Sequence, residues 1–331
     1  MNPANRRLIK SWKSELPVCA VSEDSAAENE STTMEFKHYQ NEDYEAVCDF
    51  LIALNEKDRM HVNWNWARFE WMAEHPEFDK SLIASIGLWL DKSRVVGAAI
   101  YDMYFGEAFC GVLPDYSALY PQVLDYAWLA LRDENGLGIA IREDNAREIE
   151  AAKAAGFFPA EQTETMLCMD LEEIDYPLAP EGFHIAELDP YVDPVAFQWL
   201  IWQGFDHGED RSVYEREELV PVLRRRHFNP ALSLCAADER GEGKSYCCMW
   251  YLPGTDYAYV EPVCTVPSAR GKGLAAALLK EALRRAEELG ARKAYVISDQ
   301  TFYKKLGFRR DSCFRFYWKK PFPPRTPNTE S

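Results

Sequence analysis

The stretch Glu261–Lys280, EPVCTVPSARGKGLAAALLK, constrains this chain more tightly than any other. Val260, Val263, Thr265 and Val266 are β-branched and favour a pleated strand. Pro267 has no N–H to give to a ladder and ends it. From Leu274 the apolar residues recur at helical spacing: Leu274, Leu278, Leu279, Leu283, Ala286 and Leu289. Gly290 stands where a helix commonly ends on a glycine. The spacing predicts a helix over Arg270–Leu289, with Arg270-Gly-Lys-Gly-Leu-Ala275 at its start. First-turn amides are unpaired and carry partial positive charge, and glycines let the backbone close on an anion. Arg270 and Lys272 add whole charges. The stretch therefore reads as a cradle for phosphate or pyrophosphate.

Two other glycine patterns compete. Gly271-Lys-Gly-Leu-Ala-Ala276 also fits a dinucleotide-binding fingerprint, the reading of a nucleotide-dependent oxidoreductase. There the first glycine follows the strand directly, whereas Pro267–Arg270 intervenes here. Gly243-Lys-Ser245 lacks the upstream glycine of a phosphate-binding P-loop, since residue 238 is Asp, and a strand pattern follows it. It reads as a hairpin turn.

At 331 residues the chain suggests two domains. The net charge of −17 disfavours a nucleic-acid partner and suits a cationic one. No run of about 18 apolar residues predicts a membrane span, and residues 1–21 carry no signal-peptide pattern. Nine cysteines, odd in number and without CxxC, predict reduced thiols in the cytoplasm. The six histidines show no metal-binding spacing, so no metal is expected.

Read in order, residues 1–33 form a polar tail with a short helix near Leu8–Leu16, and 321–331 a second tail. Strands are expected at Met34–Tyr39, Leu82–Leu90, Val95–Tyr104, Ala108–Val112 and Gly138–Ile141, with another ending near Met169–Leu171. Helices are expected at Asn41–Leu54, Trp64–His75, Tyr120–Arg132 and Asn145–Ala155. Trp64, Trp66, Phe69 and Trp71 read as the core face of their helix. A Pro/Gly-rich linker covers Tyr176–Gly182. The order then restarts: a strand at Phe183–Ala186, helices at Pro194–Phe205 and Val213–Arg226, strands at Ala231–Ala236, Tyr246–Leu252 and Tyr257–Val266, then the helix already described. Arg292–Ile297, Gln300–Leu306 and Cys313–Trp318 close the chain as strand, helix and strand. Gly156-Phe157 and Gly307-Phe308 are 151 residues apart. This matched order implies an internal duplication, with domains at 34–175 and 183–320.

The second half resembles the GCN5-related N-acetyltransferase (GNAT) family. Arg270-Gly-Lys-Gly-Leu-Ala275 is similar to its acetyl-CoA motif, and Phe302-Tyr-Lys-Lys-Leu-Gly-Phe308 to its Phe-Tyr-x-x-Leu-Gly-Phe signature. The first half shares the element order and Gly156-Phe157. Its corresponding loop, Gly111-Val-Leu-Pro-Asp-Tyr-Ser-Ala118, has Asp115 and neither the glycine pair nor a basic residue, as in a degenerate copy. The resemblance implies a mixed α/β fold of two tandem GNAT-like domains, each a mostly antiparallel sheet flanked by helices. It implies transfer of an acetyl group from acetyl-CoA to a primary amine of a small molecule or peptide, by direct attack in a ternary complex. A non-catalytic acyl-CoA-binding protein is the alternative.

By that resemblance the residues of Arg270–Ala275 (Arg270, Gly271, Lys272, Gly273, Leu274 and Ala275) hold the pyrophosphate. Backbone groups of Cys264, Thr265 and Val266 pair with the pantetheine. Tyr303 protonates the leaving thiolate, and Glu261 is a candidate general base. On the acceptor side Asp206 and Glu209 could hold a cationic amine against Trp202.

Overall fold

A computed structural model describes residues 34–56, 60–73, 75, 78–172, 174, 178–188, 193–208 and 225–320. The tails, the helix near Leu8–Leu16, residues 176–177 of the linker, most of Val213–Arg226 and Glu209 lie outside them. The described chain forms two compact units, and neither is one continuous segment. The first takes residues up to Val62, Asp79–Thr163 and Arg315 onward; the second takes Asn63–Phe78 and Glu164–Phe314.

In unit 1, strands β1 (Glu35–His38), β2 (Gly87–Asp91), β3 (Arg94–Tyr101), β4 (Glu107–Val112) and β5 (Leu137–Arg142) lie in that order. The first four pair antiparallel and β4 pairs parallel with β5. Helices α1 (Tyr44–Glu56), α3 (Tyr120–Ala130) and α4 (Ala146–Ala154) belong to the same unit. Unit 2 repeats the plan. Strands β7 (Phe183–Glu187), β8 (Ser233–Asp238), β9 (Gly243–Tyr251), β10 (Tyr257–Thr265) and β11 (Lys293–Ile297) stand in the same order. Again the first four pair antiparallel and the last pair is parallel. Its helices among the described residues are α2 (Trp66–Met72), α5 (Pro194–Gly204), α6 (Leu274–Leu289) and α7 (Thr301–Lys305).

The closing strands are exchanged. β6 (Phe158–Asp170), the last strand of the first half, pairs with β11 from Lys293↔Asp170 to Ile297↔Met166. β12 (Arg309–Lys319), the last strand of the second half, lies beside β5. Gly138 on β5 makes room for it: a Cβ there would stand 2.7 Å from the Trp318 ring. Helix α2 is likewise on loan, since its residues come from the first half and its core lies in unit 2. The expected core face holds: Trp66, Phe69 and Trp71 are buried.

Local chemistry accounts for most element ends. Asn65, Asn145 and Asp193 cap α2, α4 and α5 by accepting from backbone N–H groups. Two expectations shift. Lys80–Ser85 is a 3-10 turn begun by the Asp79 side chain, so the expected strand at Leu82–Leu90 begins only at Gly87. The helix expected from Arg270 begins at Leu274, because Gly271 (φ 76°) and Gly273 (φ 82°) are left-handed. Among the described residues no helix is long and apolar enough to cross a membrane.

Exchange makes a measurable claim about folding. Residues 183–320 expressed alone lack Glu164–Asp170 and α2, and are expected to unfold without a cooperative transition. Supplying residues 34–175 in trans should restore one, with the two pieces copurifying. A fragment 183–320 that unfolds cooperatively by itself would contradict it.

Candidate active site

The site in unit 2 is built on a strand that loses its neighbour. β10 pairs with β11 only at Tyr257, Ala258 and Tyr259. β11 runs on through Val296 and Ile297 against β6, while β10 runs on against β9 alone. Where they part, β10 carries a bulge. Val260 and Val263 face Met249 and Cys247, so Glu261 and Pro262 together oppose Cys248. The Glu261–Pro262 peptide is cis. The Glu261 carbonyl accepts from the Trp250 indole at 2.6 Å.

Backbone direction then alternates along β10. Val266 N–H donates to Lys244 O on the β9 side at 3.0 Å. Cys264 shares that direction, and its carbonyl accepts from Ser245 Oγ at 2.8 Å. Val263 and Thr265 therefore turn their backbone groups to the side that β11 has left. Of the three residues expected to meet a pantetheine, Thr265 faces the opening, whereas Cys264 and Val266 turn toward β9. Val263 joins Thr265, and only the bulge register reveals it.

β10 leads through Pro267–Ala269 into the two left-handed glycines and the 16-residue α6. A Cβ on Gly271 would meet nothing within 4 Å, so space above the loop is open. Leu274 and Ala275 form the first turn of α6, with Leu274 buried beneath the loop. Arg270 is a clamp as well as a charge. Its Nε donates to Thr265 O and its Nη2 to Gly204 O, each at 3.0 Å, and its Nη1 lies 2.9 Å from Asp206 Oδ2. It ties the C-terminus of α5 to the end of β10, a favourable place for a cation. Asp206, expected to hold an amine, thus already has a cation partner. Lys272 Nζ lies 5.3 Å from the Phe183 ring centre. The helix approaches closely at Gly204, where a Cβ would stand 2.5 Å from Cys264 Sγ.

Tyr303 lies on α7, its ring buried against Phe302 and Phe308. Burial, reinforced by Cys247, Glu261 and Cys264 nearby, raises its pKa far above the usual phenol value. The hydroxyl therefore stays protonated at neutral pH. Burial also pushes the Cys264 thiol up to about 12, as expected of a strand cysteine with no role as nucleophile. On the α5 side of the strand, which Cys264 faces, Trp202 lies tilted against His207 with ring centres 4.7 Å apart, and His207 lies 6.2 Å from His75. Burial and His207 lower the His75 pKa to about 4, so it is neutral at physiological pH.

Two residues at this face escaped sequence reasoning. Glu70 on α2 is wholly buried and bonds to His227, whose backbone N–H also donates to it at 3.1 Å. The one available signal was an acid set within the aromatic run Trp66–Trp71.

The acetyltransferase (GNAT) family model matches residues 195–308. Those residues are a GNAT-family domain. That stretch runs from α5 to the Gly307-Phe308 pair and includes the parted strand and the glycine cradle. No curated protein sequence matches the chain. Among solved structures, a tandem GNAT protein from the clavulanic acid biosynthesis pathway is similar at TM-score 0.56 and 17% identity, over 88% of this chain and 99% of that one. A GCN5-related N-acetyltransferase from Sphaerobacter thermophilus is similar at TM-score 0.54 and 15% identity, over 87% and 95%. The whole chain thus has the tandem GNAT fold, mixed α/β with mostly antiparallel sheets flanked by helices. The likeness includes the first half, where β4 and β5 pair only at Glu107 and Ala108 before parting. There the residue 151 before Tyr303 is Ala152, and no left-handed glycine lies between β4 and α3.

Replacing Gly271 and Gly273 by Val forces β-branched residues to positive φ, at about 1–2 kcal/mol each, and closes the cradle. Calorimetry should show acetyl-CoA affinity falling at least about tenfold, equivalent to 1.4 kcal/mol; wild-type affinity in the double variant would remove the cradle. A thiol held near 12 is about 0.01% thiolate at pH 8, so Cys264 should resist iodoacetamide until the chain is unfolded. Rapid native labelling of Cys264, read by peptide mass spectrometry, would contradict its burial.

Proposed function

We propose that this protein transfers the acetyl group of acetyl-CoA to a primary amine of a small molecule or peptide in a ternary complex. The observation that carries this reading is the conjunction on one strand: β10 leaves β11 after Tyr259 and ends in the Gly271/Gly273 cradle at the start of α6. The residues suit such a molecule. Amides at a helix N-terminus, opened by left-handed glycines, fit a pyrophosphate. Val263 and Thr265, facing the opening, can pair with pantetheine amides as an added strand would. Acetyl-CoA supplies the acyl group already activated as a thioester. A backbone N–H of the bulge would polarise its carbonyl. Tyr303, kept protonated, would give its proton to the departing thiolate. Glu261 would draw in the cationic amine, and its negative charge helps keep Tyr303 a phenol. Arg270 and Asp206 would fix the cradle against α5, with Trp202 as a wall on the acceptor side. The first unit, with Ala152 and no glycine cradle, would serve as framework.

Tyr303→Phe tests the acid. It is expected to lower kcat by about 10²-fold, with acetyl-CoA affinity within about threefold of wild type. Because the Tyr303 pKa lies above its ordinary value of about 10, no alkaline fall in rate due to this group should occur below about pH 10. Unchanged turnover in the Phe variant, measured by free-thiol release, would remove the role.

A further inference from the structure

We propose that His227, held by Glu70, is the base that takes the proton from the acceptor amine. The inference rests on the acyl-transfer reading above and moves the proton-accepting role expected of Glu261 to a residue 34 positions earlier.

The carboxylate of Glu70 lies on α2 with no exposed surface. A buried carboxylate is costly unless charge or hydrogen bonds compensate it. Both of its oxygens are used on one residue: Oε2 accepts the His227 backbone N–H at 3.1 Å and Oε1 meets Nδ1. This two-point grip fixes both the backbone and the ring of His227. With the carboxylate ionised, Nδ1 must donate, so in the neutral ring Nε2 carries the lone pair. That is the arrangement in which a carboxylate orients an imidazole as a general base.

The dyad also stands on the side an acceptor would use. The face of β9 and β10 bearing Tyr246, Cys248, Trp250 and Tyr259 is opposite the one bearing Cys247, Met249 and Tyr251, by the alternation of a strand. Helix α6 belongs to the second face, where Gly290 at its end approaches the Tyr251 hydroxyl. The pyrophosphate cradle is therefore on the α6 side, and a pantetheine threading the opening would present its thioester toward the first face. His227 packs there. Its ring lies 5.2 Å from Trp66, which lies 5.7 Å from Tyr259, the last residue of β10 paired with β11. Phe228 packs on Trp250 at 6.2 Å, and Trp250 holds the Glu261 carbonyl. Other titratable or charged groups on the packed elements include Arg225 and Arg226 just before it in sequence, Arg68 on α2, Tyr257, Tyr259 and Glu261 on β10, and Tyr246 and Cys248 on β9.

The step balances. The ammonium of the acceptor gives one proton to Nε2 of His227 and becomes a neutral amine. Its lone pair forms the C–N bond, the C–S bond breaks with its electrons on sulfur, and the thiolate takes the Tyr303 proton. The amide nitrogen loses its second proton to solvent. The imidazolium then releases its proton and the phenolate regains one, so one proton is released per turnover.

The test measures free-thiol release with acetyl-CoA and a panel of primary amines, and acetyl-CoA binding by calorimetry, for the full chain and for His227→Ala and His227→Gln. Both variants should bind acetyl-CoA as wild type does and lose about 10²–10⁴-fold in kcat/KM, and imidazole should restore the Ala variant at least about tenfold. Turnover within about threefold of wild type in the Gln variant, or loss without imidazole rescue, would overturn the assignment. If neither variant folds, the wild-type acid limb decides. An imidazole limb moves to lower pH on warming, whereas one that stays still with temperature belongs to a carboxylate and would overturn it. Absence of thiol release by wild type with every amine would sink the acyl-transfer reading itself, whereas an active wild type with active variants sinks only His227.

Discussion

A strand inside a sheet must satisfy its backbone groups on both edges. β10 does so as far as Tyr259, then gives up one edge. Everything proposed for this chain depends on that parting. It leaves Val263 and Thr265 facing an opening, and the bulge at Glu261–Pro262 displaces the strand where the opening begins. At its far end lie the two left-handed glycines and α6. The opening and the glycine turn beyond it are thus both arranged around the place where one ladder stops.

What keeps the opening from collapsing is packing on either side. α6 buries Leu274, Ala277, Leu278, Leu279, Ala282, Leu283 and Ala286. On the other face, α5 presses in at Gly204 against Cys264, and Arg270 locks its end to Thr265. α2 adds Trp66 against Tyr259 and Trp250. Asn63 and Arg68, just before and within that helix, reach Glu164 on β6. Both α2 and β6 come from the first half of the sequence. The second unit is therefore built partly from borrowed parts, which gives the first half a physical purpose even without a cradle of its own.

Much of this was legible in the sequence. Periodicity located nearly every described element within a few residues, because helix and strand faces must be apolar at their own spacing. The glycine turn that precedes α6 was legible through residue type alone. The exchange of β6 and β12 was not legible. Each follows a Gly-Phe pair and either could satisfy the ladder beside β5 or β11, so local pattern does not choose. Periodicity sets the start of α6 too early, since helix-compatible Arg270 and Lys272 flank glycines whose φ only the fold determines. Asp206 looked like a free acid because Arg270, 64 residues away, is not a local neighbour. Glu70 and His227 are 157 residues apart, and only the borrowing of α2 brings them together.

The central claim is that one opening, on β10, receives the coenzyme. Diffraction from crystals grown with coenzyme A tests it most directly. Pyrophosphate is expected on the amides of Gly271–Ala275, with pantetheine paired to Val263 and Thr265. Density for the coenzyme in the first unit at β4 and β5, with the β10 opening empty, would contradict it.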